Sequence, residues 1–222
     1  MYSLMALGLN KALKPRTRVK ICGITRPEDG VIAARLGVDA IGLVFYAKSP
    51  RNVTVDQAQA ISDALPAFVT TVALFLNPDG DLVEQVLAKV DINILQFHGT
   101  ETADFCESFA KPYIKALGVS GEDNVAELVD SYASSRSVLL DSHVRGAAGG
   151  TGETFDWLSI PEQLRQKIIL AGGLKPDNVA QAIQQVRPYA VDLSSGVESA
   201  PGIKDINLMT RLMQEIKRVD CE

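Results

Sequence analysis

The chain has 222 residues, 46% of them hydrophobic, and a formal net charge of −5. That is enough apolar material for one large core, at a length an α/β barrel reaches as a single unit. The acidic balance excludes a general affinity for nucleic acid or an anionic membrane surface, so an anionic ligand must be held by local donors.

Residues Met1–Thr17 are mildly apolar with a few basic residues, and lack the continuous apolar run of a secretory signal. They read as an N-terminal extension, with a short helix over Ser3–Leu13. From residue 18 to 222 two textures alternate. Short apolar or β-branched runs predict strands at Val19–Cys22, Ala40–Phe45, Phe68–Leu76, Ile92–Phe97, Tyr113–Ala116, Val138–Asp141, Lys167–Ala171 and Ala190–Leu193. Amphipathic stretches between them predict helices over Glu28–Leu36, Val55–Ala64, Asp81–Val90, Ala103–Ala110, Asp123–Tyr132, Asp177–Val186 and Ile206–Val219. Thr25 ahead of Pro27-Glu28, and Asn77 ahead of Pro78-Asp79, are the expected helix-start signals.

Strands alternating with helices imply parallel βαβ units. About eight strands at a spacing of roughly 20 to 30 residues match an α/β fold built as a single (β/α)8 TIM barrel. A doubly wound open sheet is the rival, but the first strand ends in Cys-Gly-Ile-Thr and not in a GxGxxG turn. The longest apolar runs are strand-sized, so no membrane span is expected. Cysteines 22, 106 and 221 form no CxxC motif, and their odd count argues against a disulfide framework. A reducing, cytoplasmic setting fits them best.

In such a barrel, active-site groups stand at the C-terminal ends of the strands. Those ends carry Cys22, Phe45–Arg51, Phe75–Asn77, Gln96–His98, Lys115, Asp141, Ala171–Gly173 and Asp192–Gly196. Lys20 and Cys22 share a strand face, and with Val19 and Ile21 turned to the helices both should point inward. A nearby ammonium would raise the thiolate fraction of Cys22. A small buried filler is the plain alternative for that thiol. Asp141 follows three apolar residues, where a carboxylate is costly unless hydrogen-bonded or functional. It is a candidate general acid, or else a cap on the next loop.

The loops Ala171-Gly172-Gly173 and Asp192-Leu193-Ser194-Ser195-Gly196 follow the last two strands, where barrels often bind phosphate. Glycines there let backbone N–H groups approach the phosphate oxygens, and Gly149-Gly150-Thr151-Gly152 adds a third glycine-rich loop. Arg51 could hold a carboxylate bidentately or simply face water. His98 shares its strand face with Gln96 and is a candidate substrate contact, a second acid–base group or a structural histidine.

The ordered segments VKICGIT, GLVFYAKSPRNV, LFLNP, LQFHGTE, LLDS, GGTGETFDW, LAGGLKPDNV and VDLSSGVESAPGIKD run from Val19 to Asp205. Together they resemble the phosphoribosylanthranilate isomerases of tryptophan biosynthesis. The resemblance implies an Amadori rearrangement of N-(5-phosphoribosyl)anthranilate to 1-(2-carboxyphenylamino)-1-deoxyribulose 5-phosphate. It further implies Cys22 as general base, Asp141 as general acid and Arg51 as the grip on the anthranilate carboxylate. The loops at Gly172–Gly173 and Ser194–Gly196, including Ser195, would hold the phosphate, and Asp192 a sugar hydroxyl. No metal or organic cofactor is required by that chemistry.

Other readings fit less well. An indole-glycerol-phosphate synthase needs an inward lysine acid, for which Lys115 could serve, but no partner glutamate ends a strand. A metal-dependent pentose-phosphate epimerase wants several histidine and aspartate ligands, and only His98 and His143 are available. The two-substrate histidine-pathway isomerase uses paired aspartates, and Cys22 replaces the first. A non-catalytic phosphate-ligand binder on the same fold is separated by turnover alone. Monomer and homodimer both remain open.

Overall fold

A computed structural model describes residues 16–119, 124–142 and 156–221. The expected helix over Ser3–Leu13, His143 and the Gly149–Gly152 segment lie outside these residues. Eight parallel strands form a closed barrel in sequential order. They are β1 (Arg18–Cys22), β2 (Ala40–Phe45), β3 (Thr70–Phe75), β4 (Ile94–Phe97), β5 (Tyr113–Gly118), β6 (Ser137–Asp141), β7 (Ile168–Leu170) and β8 (Ala190–Leu193). Pairing of β8 with β1, from Arg18 opposite Ala190 to Ile21 opposite Leu193, closes the ring. The helices are α1 (Pro27–Leu36), α2 (Val55–Ala64), α3 (Gly80–Lys89), α4 (Ala103–Glu107), α5 (Val125–Asp130), α6 (Glu162–Arg165), α7 (Val179–Val186) and α8 (Ile206–Cys221). A two-stranded antiparallel hairpin, β9 (Glu198–Ala200) with β10 (Ile203–Lys204), follows β8.

Strand alternation splits the core in two. Ile114, Ala116, Leu139, Ile169, Ala171 and Ala190 fill the barrel lumen. Residues of opposite parity, among them Val19, Ile21, Ile41, Leu43, Leu140 and Val191, pack outward under the helices. Across neighbouring strands Phe45, Phe75 and Phe97 sit in register and stack, with centroids 5.3 and 6.1 Å apart. Each such buried side chain contributes about 1.5–3 kcal/mol of hydrophobic stabilisation. This outer layer therefore holds the wall rigid and leaves the lumen's upper end free for polar groups.

Several local expectations shift. Phe68, expected to open β3, is exposed with φ 70, and the strand begins at Thr70. β4 starts at Ile94 because the Asn93 side chain turns onto β3, its Oδ1 accepting from the Thr71 amide at 2.8 Å. Neither expected cap is used as one. Thr25 Oγ1 donates to the Gly202 carbonyl, and Arg26 occupies the N-cap of α1. Asn77 Oδ1 accepts from the Thr100 amide, and Asp79 precedes α3. Tertiary partners across the loops outcompete the local caps. The four-residue α6, after Pro161, is too short to show helical periodicity in sequence.

Candidate active site

A cavity opens at the C-terminal end of the barrel. Its lining includes Cys22, Arg51, His98, Asp141, Gly172, Gly173, Asp192, Ser194 and Ser195, contributed by loops and strand ends from β1 to β8. Nine of the ten expected site residues thus converge there. Gly196 does not line the cavity. Its absent side chain lets the loop after β8 press on the loop after β7, since a Cβ there would lie 2.0 Å from the Leu174 carbonyl oxygen. Glycine at position 196 thus allows the two loops to pack closely. Ser195 opens a single 3-10 turn, Ser195–Val197, and Ser194 Oγ donates to the Cys22 carbonyl at 3.0 Å.

Strand parity holds at β1. Lys20 and Cys22 both point into the lumen, and a Cβ at Gly42 on the neighbouring strand would come within 2.6 Å of Cys22 Sγ and 3.1 Å of Lys20 Nζ. Glycine at position 42 therefore leaves room for both heads. Lys20 Nζ donates to Asp192 Oδ2 at 2.9 Å, with side chains only 5% and 8% exposed. Burial works to depress the Lys20 ammonium, and the Asp192 and Cys22 charges more than offset it, so its pKa rises. The second oxygen, Asp192 Oδ1, is buried with no hydrogen-bond partner among the described residues. Such an orphan acceptor is rare and costly unless a ligand donates to it.

Lys20 acts on Cys22 in the expected direction, lowering the thiol pKa, but burial outweighs it. Burial pushes the thiol above its ordinary value, and the neighbouring Asp192 adds to that. Lys20 and Lys204 oppose it without prevailing, because Lys20 is already engaged by a carboxylate. We expect iodoacetamide to alkylate Cys22 slowly at neutral pH. The rate should climb with an apparent midpoint above the roughly 8.5 of a free thiol. The assay uses a Cys221→Ser background, since Cys221 is exposed whereas Cys106 is buried and pushed up to about 12. A plateau near or below the free-thiol value would refute this.

Asp141 ends β6 on the lumen side, with the parity of Leu139. His98 Nε2 lies 3.7 Å from Asp141 Oδ2, too long for a direct hydrogen bond but close enough for charge to matter. Gln96, wholly buried below His98, brings Nε2 to 3.4 Å from His98 Nδ1, and its own Oε1 has no partner among the described residues. Lys115, by contrast, turns away from the site. Its neighbours Ile114 and Ala116 occupy the lumen, so Lys115 points under the helices. There it pairs with Glu101 at 2.7 Å, donates to the Gly99 carbonyl and sits 5.4 Å from the Tyr132 ring centroid. A lysine general acid at that position is excluded.

Arg51 reaches the cavity but is not free. Its Nε and Nη2 donate to the two Glu198 oxygens at 2.8 and 2.7 Å, and Lys204 Nζ binds the same carboxylate at 2.7 Å. Burial alone would raise the Glu198 pKa. The Arg51 and Lys204 contacts reverse that and hold it below the usual carboxylate range. Sequence reasoning missed Glu198 and Lys204 as members of the site. It also missed the apolar wall of Val44, Leu74 and Leu76, which the lumen parity of β2 and β3 could have signalled. Among the described residues, no three His, Cys, Asp or Glu side chains converge as a metal-binding group. No helix among them is long and apolar enough to cross a membrane.

Residues 19–215 match the family model described as N-(5'-phosphoribosyl)anthranilate isomerase. An enzyme of that name from Pseudomonas fluorescens (strain Pf0-1) is 58% identical over 188 residues, covering 85% of this chain and 92% of its own. Another from Stutzerimonas stutzeri is 53% identical over 205 residues, covering 92% and 99%. The crystal structure of phosphoribosyl anthranilate isomerase from Thermotoga maritima superposes with a TM-score of 0.82 at 40% identity, covering 91% of this chain and 99% of that one. A further solved structure, at 39% identity and a TM-score of 0.80, covers the same shares and holds reduced 1-(o-carboxyphenylamino)-1-deoxyribulose 5-phosphate. With the (β/α)8 barrel and the strand-end cavity, these matches show that the chain belongs to the N-(5'-phosphoribosyl)anthranilate isomerase family.

Proposed function

We propose that this chain catalyses the Amadori rearrangement of N-(5-phosphoribosyl)anthranilate in tryptophan biosynthesis, with Asp141 as general acid and Cys22 as general base. The observation that carries the assignment is one cavity lined by both groups, on β6 and β1, with the loops after β7 and β8 at its rim. Asp141 protonates the ribose ring oxygen, and the ring opens to a Schiff base. That imine acidifies the C2′ proton, which Cys22 removes. The resulting enolamine tautomerises to the ketone. Proton transfers at each end typically contribute about 10²–10⁴-fold. Holding the substrate at both ends supplies orientation, since a fixed near-attack geometry converts binding into rate.

The substrate would lie across the cavity. Gly172, Gly173, Ser194 and Ser195 offer donors for the phosphate, with Gly196 supporting their loop from behind. The unpartnered Asp192 Oδ1 suits a sugar hydroxyl. Val44, Leu74 and Leu76 suit the aromatic ring, and Arg51 beside them the ring carboxylate. His98 faces the sugar next to Asp141. Residues 1–17 are assigned to an extension and 18–222 to the catalytic barrel. Three free cysteines support a reducing, cytoplasmic setting. One Thermotoga maritima relative is described as dimeric. For this chain monomer and homodimer are both retained, to be resolved by sedimentation.

The decisive assay follows the fluorescence of phosphoribosylanthranilate, made in situ, as it is consumed. Turnover at an ordinary enzymatic rate, on the order of 1–10³ s⁻¹, is expected. Tight binding of the product analogue without any turnover would instead identify a non-catalytic binder.

A further inference from the structure

The bidentate pairing of Arg51 with Glu198 poses an electrostatic problem. A guanidinium closed against a carboxylate is neutral as a unit and attracts a second carboxylate poorly. Lys204 removes that difficulty. Its side chain is 0% exposed, and its ammonium contacts Glu198 Oε1 at 2.7 Å and the Ser194 carbonyl at 3.2 Å. Two cations and one anion leave the group with a single positive charge. We propose that Lys204 is a specificity-determining residue. By neutralising Glu198, it leaves the Arg51 guanidinium with a full positive charge for the ring carboxylate of the substrate, while Glu198 holds that guanidinium in place.

Three features of the chain build the arrangement. Pro201-Gly202, with Gly202 at φ 80, turns β9 into β10 and sets Lys204 opposite Glu198 in the hairpin register. The Lys204 amide donates to buried Asp29 at 3.1 Å, which anchors β10 to α1. Gly23 keeps the end of β1 clear, since a Cβ there would lie 2.4 Å from Arg51 Cδ. The Arg51 stem therefore crosses directly over Gly23, the residue after Cys22. Nε and Nη2 are taken by Glu198, and Nη1 makes no hydrogen bond among the described residues. The free edge belongs to a side chain that lines the cavity. Lys204 also donates to the Ser194 carbonyl and its charge reaches Cys22, so the proposed action through Arg51 is read from a ligand pair that differs only in the ring carboxylate.

The inference rests on Arg51 as the carboxylate grip, and the test separates the two ideas. Calorimetry would measure binding of two ligands, reduced 1-(o-carboxyphenylamino)-1-deoxyribulose 5-phosphate and the same compound made from aniline, without the ring carboxylate. Lys204→Met should weaken the carboxylated ligand by at least about tenfold and the aniline compound by less than about twofold. KM for substrate should rise more than kcat falls. The double variant Glu198→Gln/Lys204→Met again carries one positive charge, on Arg51, and should regain most of the lost preference for the carboxylated ligand.

Equal weakening of both ligands by Lys204→Met would overturn the inference, as would a double variant no better than the single one. Should Lys204→Met fail to fold by circular dichroism, Lys204→Gln, which removes the charge but keeps a donor for Glu198, takes its place. A selective loss of the carboxylated ligand by at least about tenfold then supports the inference, and equal binding changes for both ligands overturn it. Arg51→Ala serves as the control for the underlying reading. An unchanged carboxylate preference in that variant would remove Arg51 as the grip, independently of Lys204.

Discussion

Cys22→Ser is expected to lower kcat by about 10²–10⁴-fold, the usual contribution of a positioned base, while the product analogue still binds. The substitution keeps size and position, so the cavity wall, the Lys20–Asp192 pair and the Ser194 contact to the Cys22 backbone all survive. What changes is the acidity of the group. A hydroxyl is much less acidic than a thiol and is scarcely ionised near neutral pH. The free-enzyme thiol is itself held above its ordinary value by burial, so only a small fraction is thiolate at neutral pH. That cost has a return, because a base of higher pKa draws the C2′ proton more strongly once formed. The rate should therefore rise with pH as the thiolate fraction grows. Steady-state turnover of Cys22→Ser within a few-fold of wild type would remove the base assignment.

Asp141→Asn should have an effect of the same order, about 10²–10⁴-fold on kcat. The amide preserves shape and can still donate a hydrogen bond, but it cannot deliver a proton to the ring oxygen. Binding of the reduced product analogue, which is already ring-opened, should change little, so the loss should fall on kcat rather than on affinity. His98 stands 3.7 Å from this carboxylate and cannot be assumed to replace it, since it approaches the acid's own oxygen. Substantial turnover by Asp141→Asn, measured with the same fluorescence assay, would assign ring opening to another donor.

Much of this site is legible in one dimension because strand alternation is local. Lys20, Cys22, Gln96, Asp141 and Asp192 all face the lumen as parity requires, and all but Lys20, one lumen layer below Cys22, stand near the C-terminal end of their strands. Parity applied to β5 would equally have turned Lys115 outward, since Ile114 and Ala116 fit the lumen. Reading it only as a strand-end lysine missed that. The helix caps failed for a different reason. Thr25 and Asn77 are local signals, but both found partners in other loops, Gly202 and Thr100.

The sequence by itself determined the eight-fold alternation, the order of the strand-end groups and the residue types able to act as acid and base. These depend on short-range periodicity and on intrinsic side-chain chemistry. Only the tertiary structure decided what those groups contact. Lys20 meets Asp192 across 172 positions of sequence, and Arg51 meets Glu198 across 147. The charges acting on Cys22 come from β1, β8 and β10 at once, so the direction of its pKa shift has no local signature. The closed barrel brings distant carboxylates against these cations, and electrostatic energy depends on separation in space and on depth from water, not on separation along the chain.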